Sequence, residues 1–132
     1  MKKTIKVIKV LIVDDEEIVV QGIKKGLEIT GFIVKTILGG KHAIELAKKE
    51  FFDVVLVDLI MPGMNGVDTC RGIKEVSPKT EVLLLSGFPN EIEKSQLAFV
   101  NAGGKDLFLR KPLLADEVAD AIATVLSKES AN

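Results

Sequence analysis

The pair Asp14–Asp15 and the residues Asp58, Ser86 and Lys111 are far apart in the chain, yet each stands at the end of a short, largely apolar run. Asp14 and Asp15 follow "VIKVLIV", Asp58 ends "DVVLVD", Ser86 ends "EVLLLS" and Lys111 comes after "DLFLR". If these runs are parallel strands of one sheet, their ends share an edge and the five residues converge. Three carboxylates brought together repel unless something neutralises them. A hard divalent cation with oxygen ligands does so, and Mg²⁺ is the one expected. Lys111 adds a second positive charge, Ser86 a hydroxyl, and the backbone after Asp58 further N–H donors. Such a set is an electrophilic clamp for a phosphoryl group. Asp58 can then act as a nucleophile and form an acyl phosphate.

Each residue alone has an ordinary structural use, as a helix cap, a turn residue or an exposed lysine before proline. The functional reading rests on their occurrence together at four strand ends of one sheet. The spacing of apolar residues supports such a sheet. Strands are expected over 7–13, 32–37, 53–58, 81–86 and 106–112. Between and after them the apolar period becomes helical: Val20, Ile23 and Leu27; Ala43, Ile44 and Ala47; Val67, Cys70 and Ile73; Val118, Ile122 and Val125. The helices are placed over 16–30, from Gly39–Gly40 onward, over 65–76, after Pro89 and over 114–126. Asn90 is the expected cap of the fourth, with Glu93 as its reciprocal partner. The first, third and fourth runs are continuously apolar, as in central parallel strands covered on both faces. Alternation of this kind implies an α/β doubly wound sheet with helices on both faces. Ligands of such sheets sit beyond the carboxyl ends of the strands.

Bulk composition narrows the function classes. The 132 residues suit one domain, and 47% are apolar. Lys plus Arg number 18 and Asp plus Glu 19, so binding of nucleic acid or an anionic membrane through bulk charge is not expected. With one cysteine, Cys70, no disulfide can form within the chain. Cys70 reads as a small apolar helix residue. His42 reads as a surface residue rather than a phosphotransfer histidine. The N-terminal run is broken by Lys6 and Lys9 and has no cleavage site, and no stretch approaches a membrane span. A soluble cytoplasmic protein is expected. The closing "SKESAN" reads as a tail or the start of a linker.

With these residues placed, the chain resembles the receiver domain of two-component response regulators, from about Val7 to Leu126. The resemblance rests on "LIVDDEE", "VVLVDLIMPGMNG", "LLLSGF" and "FLRKP" in that order. It implies a single receiver domain over 1–132 (core about 7–126) with no effector domain in this chain. The implied fold is a doubly wound five-stranded parallel sheet, flavodoxin-like, of order 2-1-3-4-5. Asp58 then matches the phospho-accepting aspartate. Asp14 and Asp15 match the Mg²⁺-binding pair, Asp15 more directly, and the Ile60 backbone carbonyl supplies a further ligand. Ser86 and Lys111 match the conserved hydroxyl and lysine, and Phe108 the switch aromatic. The Lys111–Pro112 bond is expected to be cis. The implied partners are a histidine kinase or phosphotransfer protein as donor, and a downstream protein or effector domain. A phosphorylation-linked homodimer is a further expectation. Phosphorylation would move Ser86, let Phe108 rotate, and change the face formed by the fourth helix, fifth strand and fifth helix. Such a protein is not an enzyme for an external metabolite; it catalyses only its own phosphorylation and dephosphorylation.

Some positions depart from the family's usual pattern. Ile60, two after Asp58, and Phe88, two after Ser86, are apolar where many receivers carry a polar residue. Apolar cover there is expected to exclude hydrolytic water and slow loss of the phosphoryl group. The helix after Pro89 has the weakest amphipathic pattern, since Ile92, Leu97, Phe99 and Val100 do not share a face. Three other classes compete. A degenerate receiver used only for binding would be expected to lack site residues. An aspartate-nucleophile phosphohydrolase usually has a second Asp where Ile60 stands. A flavodoxin-type binder wants a hydroxyl- and glycine-rich loop where this chain has "DDEE".

Overall fold

The computed structural model describes residues 7–131. Strands and helices alternate along it as β1 (Lys9–Val13), α1 (Glu17–Ile29), β2 (Ile33–Ile37), α2 (Gly40–Lys49), β3 (Val54–Asp58), α3 (Gly66–Val76), β4 (Glu81–Ser86), α4 (Pro89–Asn101), β5 (Phe108–Arg110) and α5 (Ala115–Ala131). Neighbouring strands all pair in parallel, in the order β2-β1-β3-β4-β5. This is the doubly wound sheet and strand order expected. From β1 the chain first adds β2 on one side, then crosses back to add β3 on the other. A crevice therefore opens at the carboxyl ends of β1 and β3. Val13 lies opposite Val57 and Asp58 opposite Leu85, so the residues that follow these strands emerge at one level.

Alternation of side chains along each strand divides the core in two. Val10, Ile12, Val54, Leu56, Leu83 and Leu85 pack against Val20, Ile23 and Leu27 of α1 and Val118, Ile122 and Val125 of α5. Their neighbours Leu11, Val13, Val55, Val57, Val82 and Leu84 face Ala43 and Ala47 of α2, Cys70 and Ile73 of α3, and Phe99 of α4. Both faces of β1, β3 and β4 are thus covered, which is why these runs are continuously apolar. Each such side chain contributes about 1.5–3 kcal/mol by leaving water. The edge strand β2 is different: Ile33 and Lys35 on it are exposed.

Several boundaries differ from the sequence expectation. β1 starts at Lys9 rather than Val7, and the Lys9 N–H donates to the Asp53 carboxylate (2.9 Å). β5 is shortened to Phe108–Arg110. α5 continues to Ala131 instead of ending at Leu126, because no Gly or Pro interrupts the good helix formers there. Asn90 is not the cap of α4. The helix begins at Pro89, with Phe88 in the cap position and no capping side chain. Pro suits a first helical position, since its missing N–H would have no partner there anyway. The expectation about an N-terminal leader falls largely on residues 1–6, and the end of "SKESAN" on Asn132, outside the described residues. No helix among the described residues is long and apolar enough to cross a membrane.

The loop after β3 depends on Gly66. A Cβ at that position would lie 2.6 Å from the Asp58 carbonyl oxygen and 2.8 Å from the Leu59 Cα. Both are backbone atoms of the strand end and cannot swing aside. The Gly66 N–H instead closes onto the Leu59 carbonyl at 2.9 Å, bringing the start of α3 directly under Asp58. Asn65 caps this helix by accepting from the Asp68 N–H at 2.9 Å. Gly66→Ala is expected to lower stability by about 2–3 kcal/mol, as overpacking against rigid backbone does. Urea denaturation checks it: the midpoint should drop with little change in slope. An unchanged midpoint would mean that α3 can retreat freely.

Candidate functional site

Lys111 organises the sheet edge. It follows the short strand β5, and its backbone N–H is held by the Ser86 carbonyl at 2.9 Å. From there its Nζ reaches Asp14 Oδ2 at 2.8 Å and Asp58 Oδ2 at 3.1 Å. Glu16 Oε1 is a third partner of the same ammonium. Asp14 and Asp58 are almost fully buried, at 2% and 5% exposure, whereas Asp15 and Glu16 are exposed. Asp14 also accepts from the Glu16 N–H (3.0 Å), which ties the acidic loop to the strand end that precedes it. The Lys111–Pro112 peptide bond is cis.

The electrostatics follow from burial. Asp58 has its carboxyl pushed up from 3.8 to about 6, first by loss of water and then by the charge of Asp14, with the Lys111 hydrogen bond and charge opposing. Burial alone would favour deprotonation of Lys111, but its hydrogen bonds to Asp14, Glu16 and Asp58 outweigh this and hold it protonated well above its ordinary range. The site is therefore a carboxylate cluster with too little positive charge.

A metal ion requires donors that can meet at one point. One carboxylate oxygen from each of Asp14, Asp15, Glu16 and Asp58 lies within 4.8 Å of the others. All are hard oxygen donors, the chemistry that suits Mg²⁺ or Ca²⁺ rather than a thiophilic metal. The residues present fit such an ion. They open on a cleft of about 610 Å³ whose walls include Asp58, Lys111 and the apolar side chains of Ile60 and Phe88. Ile60 and Phe88 are 44% and 59% exposed and face this space.

The remaining expected residues stand as follows. Ser86 is buried at the end of β4, and its Oγ accepts from the Phe88 N–H at 3.0 Å. Asp15 borders the cleft. The Ile60 N–H points back to Asp58 Oδ1 at 3.4 Å. Phe108 lies apart from the carboxylates. It is half-buried, edge-on to Phe99 with ring centroids 6.1 Å apart, and borders a groove with Ile92, Gln96 and Arg110. Among the described residues, Phe99 is the one fully buried side chain of α4, while Leu97 and Val100 are exposed. The weak amphipathic pattern is thus a weakly anchored helix. Cys70 is buried with its thiol pushed up to about 12 by loss of water, and His42 is exposed, as expected of a packing residue and a surface residue.

Glu16 was not among the expected site residues. As a sequence feature it reads as an acid suited to a helix N-terminus. The available signal was its place as the third acid of "DDEE" directly after a strand.

A sequence model of the response regulator receiver domain matches residues 10–123. The chain is 32% identical over 120 residues to the cell cycle transcriptional regulator CtrA of Caulobacter vibrioides, covering 91% of this chain and 51% of that protein. It is 28% identical to the alkaline phosphatase synthesis transcriptional regulatory protein PhoP of Bacillus subtilis, covering 91% and 49%. The chain thus spans about half the length of the curated relatives it matches. Among solved structures, a response regulator receiver domain protein of Clostridium thermocellum superposes with a TM-score of 0.83 at 29% identity, covering 94% of this chain and 98% of the other. The BeF3-activated receiver domain of DrrB, a Thermotoga maritima protein, gives 0.78 at 30% identity, covering 92% and 99%.

Proposed function

This chain belongs to the response regulator receiver domain family of two-component signalling, and on that premise we propose that it is a phosphorylation-dependent switch whose phospho-acceptor is Asp58. The observation that supports the reading best is Asp58 itself. It is a nearly buried carboxylate at the crevice of the sheet, beside Asp14 and within 3.1 Å of the Lys111 ammonium. Receivers are regulatory and work with histidine kinases and effectors. In this reading a kinase or phosphotransfer protein presents a phosphohistidine at the cleft. An Asp58 oxygen attacks phosphorus, a P–O bond forms and the P–N bond breaks. The electron pair stays on the imidazole nitrogen, which takes a proton from water. Lys111 donates to the phosphoryl oxygens as charge moves toward the leaving group. Asp14, Asp15, Asp58 and the Ile60 carbonyl would hold Mg²⁺, which when bound neutralises carboxylate and phosphoryl charge.

Readout follows from the neighbours of Ser86. Its hydroxyl is engaged with the loop that starts α4. Drawing Ser86 toward a phosphoryl group would release the Phe88 N–H and disturb a helix held by Phe99. Phe108 packs on Phe99, so the face of α4, β5 and α5 would be biased between two arrangements. That face would bind a downstream protein or effector domain, or a second copy of the chain. Turnover in this reading is limited to the protein's own phosphorylation and dephosphorylation.

The test is incubation with acetyl phosphate and Mg²⁺ followed by intact mass measurement. One added phosphoryl group, traced to the peptide carrying Asp58, is expected. Incorporation elsewhere, or none in folded protein, sinks the reading. A further expectation concerns lifetime. Ile60 and Phe88 cover the cleft with apolar surface, so Ile60→Asn and Phe88→Glu should each shorten the half-life of the phosphorylated protein several-fold. If neither accelerates decay, apolar cover is not what shields the phosphoryl group.

A further inference from the structure

Glu16 is not read from the sequence as a site residue, yet it stands at the rim of the carboxylate cluster and is one of three carboxylates on the Lys111 ammonium. An ammonium has three N–H donors and no acceptor. Here Glu16 and Asp58 accept hydrogen bonds from it, and Asp14 pairs with it at 2.8 Å. The three partners are not equivalent. Asp14 and Asp58 are fixed at strand ends, with side chains only 2% and 7% exposed, whereas the Glu16 side chain is 55% exposed. Glu16 stands at the cap position of α1, and no hydrogen bond from its side chain to the helix fixes it there. Its carboxylate can swing into water at small cost; the other two cannot.

On the reading of Asp58 as phospho-acceptor, we infer that Glu16 is a positioning residue that competes with the phosphoryl group for Lys111. In the resting protein it completes the coordination of the ammonium and holds it at the mouth of the cleft. An arriving phosphoryl group must take a donor from one of three carboxylates, and Glu16 is the one that yields. The contact therefore sets a threshold: it stabilises the resting state relative to the loaded one by the worth of a partly exposed ion pair. Such pairs are modest and are screened by salt. Removing the Glu16 charge should therefore strengthen capture of a phosphoryl group by about two- to five-fold at low ionic strength. The gain should fade as salt rises.

Beryllofluoride with Mg²⁺ serves as a phosphoryl probe, titrated into wild type, Glu16→Gln and Asp58→Asn at low and high salt. The expected result is tighter apparent binding by Glu16→Gln at low salt, with the two curves converging at high salt. Labelling of Lys111 by an amine-acylating reagent in metal-free protein gives a second readout. It should be faster in Glu16→Gln, since one partner of the amine is gone. Equal or weaker beryllofluoride binding by Glu16→Gln at low salt overturns the inference, as does unchanged Lys111 labelling. Asp58→Asn separates this outcome from failure of the underlying reading. If wild type does not bind the probe, or Asp58→Asn binds it equally well, the phospho-acceptor assignment fails whatever Glu16 does.

Discussion

Asp58→Asn is expected to abolish phosphoryl incorporation and, at the same time, to make the protein more stable at neutral pH. The first effect follows from loss of the nucleophilic oxygen in the proposed reaction. The second follows from the environment of Asp58. Its carboxyl is pushed from 3.8 up to about 6, by burial first and the Asp14 charge second, against the pull of Lys111. The folded chain thus holds this proton more tightly than the unfolded chain does. Ionised Asp58 is a penalty above pH 6, and the penalty fades as pH falls through 6 toward 4. The displacement bounds the penalty at about 3 kcal/mol, and water in the open cleft reduces it to about 1–2 kcal/mol. An amide of nearly the same shape removes it. Urea titrations of wild type and Asp58→Asn without divalent metal, from pH 8 to pH 4, check this. The mutant's advantage should be greatest at pH 7–8 and vanish near pH 4. A mutant no more stable than wild type at pH 7.5 would falsify the account.

The second large effect is expected from Lys111→Met, which keeps most of the unbranched side chain and removes its charge. Lys111 lies 2.8 Å from Asp14 and 3.1 Å from Asp58, both nearly buried. Without it two carboxylates face one another uncompensated. Removing one partner of a buried ion pair costs about 3–5 kcal/mol. Here the cleft is open and Asp58 can take up a proton, so a loss of about 2–3 kcal/mol at pH 7.5 is expected. Because its partners raise the proton affinity of Lys111, the ammonium's contribution is fully present below its ordinary range near pH 10.5 and includes all of neutral pH. The mutant's deficit should shrink as pH falls and Asp58 becomes neutral. It should also shrink on adding Mg²⁺, which supplies the missing positive charge. Phosphorylation should slow by about 10²-fold, the usual effect of losing one preorganised donor. Melting temperatures across pH and Mg²⁺ concentration give the stability part. A deficit indifferent to both would show that Lys111 acts through packing rather than charge.

The two substitutions have opposite effects on stability because the cluster holds more negative than positive charge. The imbalance suits a phosphoryl acceptor, since a metal ion meets unsatisfied charge when it binds. Glu16 extends the same logic outward, as a third anion that can leave when another arrives.

Much of this was legible in the sequence because it is local. Apolar period separates strand from helix over windows of a few residues, and continuous runs mark strands buried on both faces. Charged residues that stop such runs had to lie at the sheet edge. Asp14, Asp15, Asp58 and Lys111 are read this way, with the hydroxyl of Ser86 at the fourth strand end, and the ordered motifs add Ile60 and Phe108 through resemblance. Boundaries were less legible. Asn90 looked like a cap, but Pro89 already fits the first helical position, and the fourth helix starts earlier.

Other properties arise only when segments remote in sequence meet. The Asp58 carboxyl is pushed up toward 6 because the surrounding fold removes its water and the Asp14 charge lies beside it, and no window around Asp58 contains that fact. Phe99, the buried side chain of α4, meets Phe108 through the crossing of helix and strand. Glu16 captures Lys111 from 95 residues away, across the crevice between two strand ends. In sequence it is one more acid at the start of a helix. Residue type dictates which groups can carry charge, and periodicity dictates which segments are buried. How much charge one ammonium must answer for depends on distances of a few ångströms between strand ends, set by the register and packing of the whole sheet.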